Sequence, residues 1–296
     1  MHKPEIGIIG ATSFVGECLL ARLAGLDVDI TAFSRKPQEI SNDWHASNVN
    51  WRVLKAGADS SAMPHLDERR TIESWISLAP IWILPELFPM LEAYGVRRIV
   101  ALSSTSRFTK TTSRDASEQA LAGHLIKGEE SLKTWAEKQG VEWAIIQPTM
   151  IYGHGKDRNI ARIARFIERF GFFPLLGKAS GKRQPVHVED VADACCSALF
   201  SERALNRSYI VSGKEQLTYR AMVERIFLSM GKSPVFLPLP LTVFQYAVLF
   251  LRILPRFKSL TVEMVSRMNQ DMIFDHEEAA QDLKFKPRAF LTGEND

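Results

Sequence analysis

Short apolar runs alternate with longer stretches of helical spacing through the first half of the chain. The runs at 6–9, 28–33, 51–54, 74–78, 98–102 and 143–146 predict strands. Between them, apolar positions recurring at three and four predict helices over 14–23, 84–94 and 118–138. Pro85 suits a first helical turn, and Pro89 predicts a kink in the same helix. Strands separated by helices imply βαβ units and a parallel, doubly wound sheet. After Pro148 the rhythm changes. Gly153, Gly155, Gly171, Pro174, Gly177 and Gly181 punctuate a loop-rich stretch around one amphipathic helix at 160–170. A helix at 186–199 and a strand at 209–211 return to the sheet. From Gly213 the pattern is helical, broken by prolines between Pro234 and Pro240. The economical architecture is α/β, with residues 1–149 and 186–212 in the sheet domain and residues 150–185 and 213–296 in a smaller, mostly helical lobe. Ligands of such folds bind in the crevice at the carboxyl ends of the strands.

Composition narrows the function classes. With 46% of its 296 residues hydrophobic and 24% charged, the chain can fill a sizeable core and is neither disordered nor fibrous. Its formal charge is only +3, and no basic run is interleaved with aromatics, so no nucleic-acid partner is expected. Three cysteines, Cys18, Cys195 and Cys196, cannot build a disulfide framework and suggest a reducing compartment. The first residues lack a signal-peptide apolar stretch, which gives the expectation of a cytoplasmic protein. Metal-binding spacings such as His-Glu-x-x-His or Cys-x-x-Cys are missing, as is a Gly-x-Ser-x-Gly elbow, so neither a metal nor hydrolysis is expected. Residues 241–254 are apolar except at Thr242, Gln245, Tyr246 and Arg252, and fall short of the ~20 residues a membrane span needs. They read as a buried lobe helix or an oligomer contact, as in a homodimer. With Arg252, Arg256 and Lys258 they also suit peripheral contact with a membrane.

The segment Gly10-Ala11-Thr12-Ser13-Phe14-Val15-Gly16 joins the first predicted strand to the first helix. A tight turn at Gly10, close packing at Gly16 and N–H groups at the helix N-terminus would together cradle a pyrophosphate. A ligand-free βα turn has the same pattern. The segment resembles the Gly-x-x-Gly-x-x-Gly fingerprint of the extended and atypical short-chain dehydrogenases/reductases, the group that contains nucleotide-sugar epimerases and dehydratases. Ser13 replaces the middle glycine. Four further stretches fit in order. Ser77-Leu78-Ala79-Pro80 resembles the fourth-strand end that lines the cofactor, and Val100-Ala101-Leu102-Ser103-Ser104 the fifth strand with its active-site Ser/Thr. Gln147-Pro148-Thr149-Met150-Ile151-Tyr152-Gly153 is similar to the family's Arg-Pro-x-x-x-Tyr-Gly. Pro185-Val186-His187-Val188-Glu189-Asp190-Val191-Ala192 resembles its hydrophobic-His-hydrophobic-x-Asp-Val-Ala helix start, which implies a structural His187 and a capping Asp190. Near the C-terminus, 269–275 followed by 280–287 resembles the strand and short helix that close the substrate lobe. Cys195 and Cys196 then fall on a sheet-covering helix and are expected to be buried.

The resemblance implies a Rossmann-type NAD(P)-binding domain and redox or epimerase/dehydratase chemistry on a nucleotide-sugar or another small carbonyl or hydroxyl substrate. It implies that residues Gly10 to Gly16, Leu78 and Ala79 hold the cofactor, that Pro148 and Thr149 meet the nicotinamide amide through backbone, and that Ser103 and Ser104 position substrate and nicotinamide. In that family a Tyr-x-x-x-Lys pair on the helix after the fifth strand does the acid–base work, the lysine lowering the tyrosine pKa. Here Lys127 fits the lysine, which would also bond the ribose hydroxyls, with Glu130 three residues later. The tyrosine slot then falls on Gly123. Either the register on this helix differs from the one that Lys127 sets, or a proton would have to come from His124, Ser104, Tyr152 or His154, and one helical step turns His124 ~100° away from Gly123. The alternative is a non-catalytic scaffold or redox sensor, similar to the short-chain-reductase-like accessory subunit of respiratory complex I. The second strand runs into Ser34-Arg35-Lys36. A guanidinium there suits a 2′-phosphate and no acid stands by to hold a ribose hydroxyl, which favours NADP over NAD; a solvated basic turn reads the same way.

Overall fold

The computed structural model describes residues 3–35, 49–54, 71–157, 159–239 and 268–292. The central sheet is built from β1 (Glu5–Ile9), β2 (Asp29–Ser34), β3 (Val49–Val53), β4 (Ser74–Ser77), β5 (Arg98–Leu102), β6 (Glu142–Pro148) and β11 (Arg207–Val211). All seven are parallel, in the order β11-β6-β5-β4-β1-β2-β3. The order reverses between β1 and β4, which is where a doubly wound sheet opens its crevice.

The side chains alternate as a two-residue period demands. Ile8, Ile76, Val100 and Ile146 point to one face, where α1 (Phe14–Ala24) and α6 (Val188–Phe200) add Leu19, Leu23, Val191 and Cys195. Ile9, Trp75, Ile99 and Ile145 point to the other, covered by α4 (Ala116–Gln139) with Leu125, Leu132 and Trp135. Cys195 and Cys196 are buried as expected, and burial pushes both thiols up. The segment predicted as one helix over 84–94 divides into a 3₁₀ turn, Ile81–Leu87, that contains Pro85, and α2 (Phe88–Ala93), with Pro89 in its first turn. Proline lacks the N–H that an α-helix interior requires, so the change of helix type takes the place of a kink.

The remaining elements gather around a third core of Tyr152, Ile160, Ile167, Phe173, Met222, Phe227 and Phe290. Besides α5 (Ile160–Phe170) and α7 (Tyr219–Ser229), this part has short strands, whereas α8 (Glu277–Leu283), expected in the lobe, puts Ala279 and Leu283 into the sheet core beside α6 and β11. The short strands are β7 (Ile151–Tyr152), β8 (Phe173–Leu176), β9 (Lys182–Arg183), β10 (Val186–His187), β12 (Leu217–Thr218) and β13 (Phe236–Leu239). The proline-rich stretch is therefore partly β: β13 pairs with β8 in a two-stranded sheet, where both strands are edges and tolerate proline. The strand expected over 269–275 is reduced to a single bridge, Met272 to Arg183. The apolar residues 241–254 lie outside the described residues.

Candidate dinucleotide site and adjoining cleft

Gly10 ends β1 with φ +80°, and a Cβ there would stand 2.8 Å from the Ala79 nitrogen and 3.0 Å from the Leu78 carbonyl carbon. The Leu78 N–H donates to the Ile9 carbonyl at 2.8 Å, so the turns leaving β1 and β4 lie against each other at the switch point. A Cβ at Gly16 would come within 2.3 Å of the Ala11 carbonyl oxygen, so only glycine lets α1 sit down on the turn. Ser13 is the helix N-cap. Its hydroxyl accepts the Gly16 N–H at 3.1 Å, and its own N–H donates to the Gly10 carbonyl at 2.9 Å. The hydroxyl thus turns back onto the helix and takes one of the donors at this terminus. Two positions from which a Cβ is excluded, at a helix N-terminus, fit the pyrophosphate of a dinucleotide. At the end of β2, Ser34 is buried and Arg35 exposed, while Lys36 lies outside the described residues.

At the end of β5 the chemistry is carried by a residue not singled out from sequence. Ser103 donates its hydroxyl proton to Glu129 Oε1 at 2.5 Å. Glu129 is 1% exposed, on the sheet-facing stripe of α4, and also accepts from Gln147 Nε2 at 3.0 Å and from Arg107 of the short helix α3 (Ser106–Thr109). The buried carboxylate is thereby hydrogen-bonded on both oxygens and paired with a guanidinium. Leu125, one turn before Glu129, is buried in the core, and Leu121, a turn earlier, packs against it. Lys127 and His124 are exposed on the outward arc. Lys127 lines an outer groove with Phe88, Glu92 and Trp135, and the His124 ring lies 5.7 Å from Trp82. A side chain at Gly123 would meet nothing within 4 Å. The spacing-based register therefore sets its Tyr–Lys slot about half a turn away from the residues that face Ser103.

Ser104, in contrast, lines a cleft of about 350 Å³ at the ends of β5 and β6. Its Oγ accepts the Ser106 N–H at 3.1 Å, which leaves the hydroxyl proton for a ligand. Thr109, Lys110, Thr149, Asn159, Arg183 and Gln184 add a polar wall, and Met150, Met272 and Phe274 an apolar one. Thr149 is already engaged: its N–H donates to Val211 and its hydroxyl to the Gln184 carbonyl at 2.5 Å. The Pro148 carbonyl accepts both the N–H and the hydroxyl of Thr105.

The other expected proton donors stand elsewhere. Tyr152 is 1% exposed, in the third core, with its hydroxyl 3.4 Å from the Ala289 carbonyl and its ring against His187 and Phe290. His154 sits at φ 50° in the following turn, with Nε2 3.2 Å from Glu189. The cap of α6 is His187, whose Nδ1 accepts the Glu189 N–H at 3.3 Å. Asp190, expected there as the cap, instead accepts from the backbone and the Nε of Arg288 at 2.9 Å each, because the C-terminal segment returns across α6.

Residues 84–211, from the 3₁₀ turn through β11, match the model of the NAD dependent epimerase/dehydratase family. This segment is similar to that family over 43% of the chain. It contains the Ser103–Glu129 network and most of the cleft wall. UDP-glucose 4-epimerase of Vibrio cholerae is 24% identical over 136 residues, 46% of this chain and 42% of that protein. The mitochondrial NADH dehydrogenase [ubiquinone] 1 alpha subcomplex subunit 9 of Arabidopsis thaliana is 29% identical over 103 residues, 34% of this chain and 25% of that one. The chain thus spans less than half the length of these two relatives. The epimerase/dehydratase fold extends further than the sequence match. UDP-glucuronic acid 4-epimerase from Bacillus cereus, solved in complex with NAD, superposes with a TM-score of 0.70 at 13% identity, covering 99% of this chain and 97% of that one.

Proposed function

We propose that the protein binds NAD(P)(H) at the Gly10–Gly16 turn and a small hydroxylated ligand of nucleotide-sugar type in the adjoining cleft, and that it works as a redox-responsive binding protein or assembly scaffold. One observation carries this reading. The stripe of α4 that faces the end of β5 presents Leu121, Leu125 and Glu129, and Ser103 is committed to that carboxylate. Proton exchange by a phenol beside an ammonium has no groups to run on there. A bound nicotinamide would supply a hydride donor or acceptor. The chain's own residues would bind and orient it through the glycine turn, Leu78 and Ala79. Arg35, exposed at the end of β2, favours the 2′-phosphate of NADP(H). The NAD held by the Bacillus cereus structure supports the cofactor class.

Ser104 favours a second reading, an oxidoreductase or epimerase that uses this hydroxyl in the cleft. A serine without an adjacent base is a weak acid–base group at neutral pH, so this reading ranks behind the first. Titration with NADPH and NADH, followed by energy transfer from the tryptophans, separates the two. Saturable NADPH binding that weakens in Arg35→Ala, with neither an absorbance change at 340 nm nor interconversion of added UDP-sugars, is the expected result. Turnover that Ser104→Ala abolishes establishes the second reading, and binding of neither nucleotide overturns both.

A further inference from the structure

The edge of the lobe away from the cleft combines two features seldom exposed together. Phe170 is 51% exposed at the end of α5, Val235 51% and Leu237 46% on or beside β13. They form one surface. The Phe170 and Phe172 rings are 6.3 Å apart, and the Phe173 N–H donates to the Val235 carbonyl at 2.9 Å, which joins the aromatic turn to β13. Arg162, Arg165 and Arg169 are exposed on α5 at a spacing that keeps them on one side of the helix, against the lone acid Glu168. Phe170 lies beside that arginine row, backed by Phe166, which packs against the lobe core, and the Arg169 guanidinium lies 5.5 Å from the Phe170 ring centre. An arginine row beside a phenylalanine ridge is the arrangement of a helix lying in a lipid interface, with rings in the acyl boundary and cations among anionic headgroups.

We infer that this face docks the protein onto an anionic lipid bilayer. The partner is chosen by charge as much as by apolarity, since a neutral apolar partner would have no use for the arginine row. Sedimentation of the full chain with phosphatidylcholine vesicles, and with vesicles containing phosphatidylglycerol, tests it. Binding to the anionic vesicles alone, weakened by raised salt, is expected. Arg165→Gln should lower the partition coefficient about fivefold, and replacing Arg162, Arg165 and Arg169 together about a hundredfold. Phe170→Glu should abolish sedimentation, with Leu237→Glu as a second variant should the first fold poorly, while NADPH titration stays unchanged in both. Equal binding to neutral and anionic vesicles, or variants that sediment like the parent, would overturn the inference. So would concentration-dependent self-association that Phe170→Glu abolishes in a protein that no vesicle retains, because the face would then join two copies of the chain.

Discussion

Glu129 is the charge around which the end of β5 is organised. A carboxylate 1% exposed needs a counter-charge, and Gln147 cannot provide one although its amide touches both oxygens. Gln147 occupies the position that is arginine in the family pattern it resembles, and here the guanidinium comes from Arg107 of α3 instead. Arg107→Met should therefore destabilise the protein by about 3 kcal/mol, the cost of leaving a buried carboxylate unpaired. Adding Gln147→Arg should recover at least half of that in urea unfolding. A second substitution that deepens the loss would show that the two positions do not share one charge. The sequence held a signal for Glu129 that spacing from Lys127 obscured. Leu121, Leu125 and Leu132 form an apolar row at helical spacing, and Glu129 lies on that row while Lys127 lies off it. Helix phase, set by what α4 buries, outranks the distance between two charged residues.

At the scale of elements, the central sheet was legible because its inner strands are buried on both faces and read as apolar runs with Gly, Pro and polar boundaries. Its helices were legible from their stripes, and α5 begins and ends at the residues its periodicity predicts. The strand pairs of the lobe were not. β7, β9, β10 and β12 are two residues each, and no local pattern specifies a pairing that tertiary contacts create. The glycine turn lies between these cases: its outline is in the sequence, but the role of Ser13 is not. Its hydroxyl serves α1 as a cap, so Ser13→Ala should cost about 1 kcal/mol, and Ser13→Gly only a few tenths. The glycine variant also releases the Gly16 N–H toward a phosphate. NADPH binding should therefore be retained or tightened in Ser13→Gly, as fluorescence titration would register. Loss of binding in that variant would mean that the hydroxyl itself meets the ligand.

Across the whole molecule, the C-terminal segment ties the lobe to the sheet domain through carboxylates. Arg288 bridges Asp190 and Glu189 on α6, and the Phe290 N–H donates to Glu215 at 2.7 Å while Arg225 pairs with the same oxygen. Burial works to raise Glu189, but the hydrogen bond and charge of Arg288 outweigh it and hold the carboxyl below its ordinary value. The Arg225 hydrogen bond holds Glu215 below its ordinary value against a smaller effect of burial. A carboxyl whose folded pKa lies below its unfolded one contributes stability that is complete above the unfolded value and is lost as pH falls through the folded value. Melting temperature should accordingly stay level as pH falls toward 5 and decline below the ordinary glutamate range, about 4.3. The clamps are local, so the segment should loosen before the sheet does. Hydrogen exchange at the Arg288 and Phe290 amides, corrected for intrinsic rate, should accelerate as pH falls below the ordinary glutamate range, about 4.3, ahead of amides in β1 and β5. Arg288→Ala should already exchange fast at its own amide at pH 7, while the Phe290 amide, held by Glu215 and Arg225, keeps its acid dependence. Exchange there that follows global unfolding at every pH would instead mean that the segment is held by the packing of Phe285 and Phe290, with the carboxylates incidental.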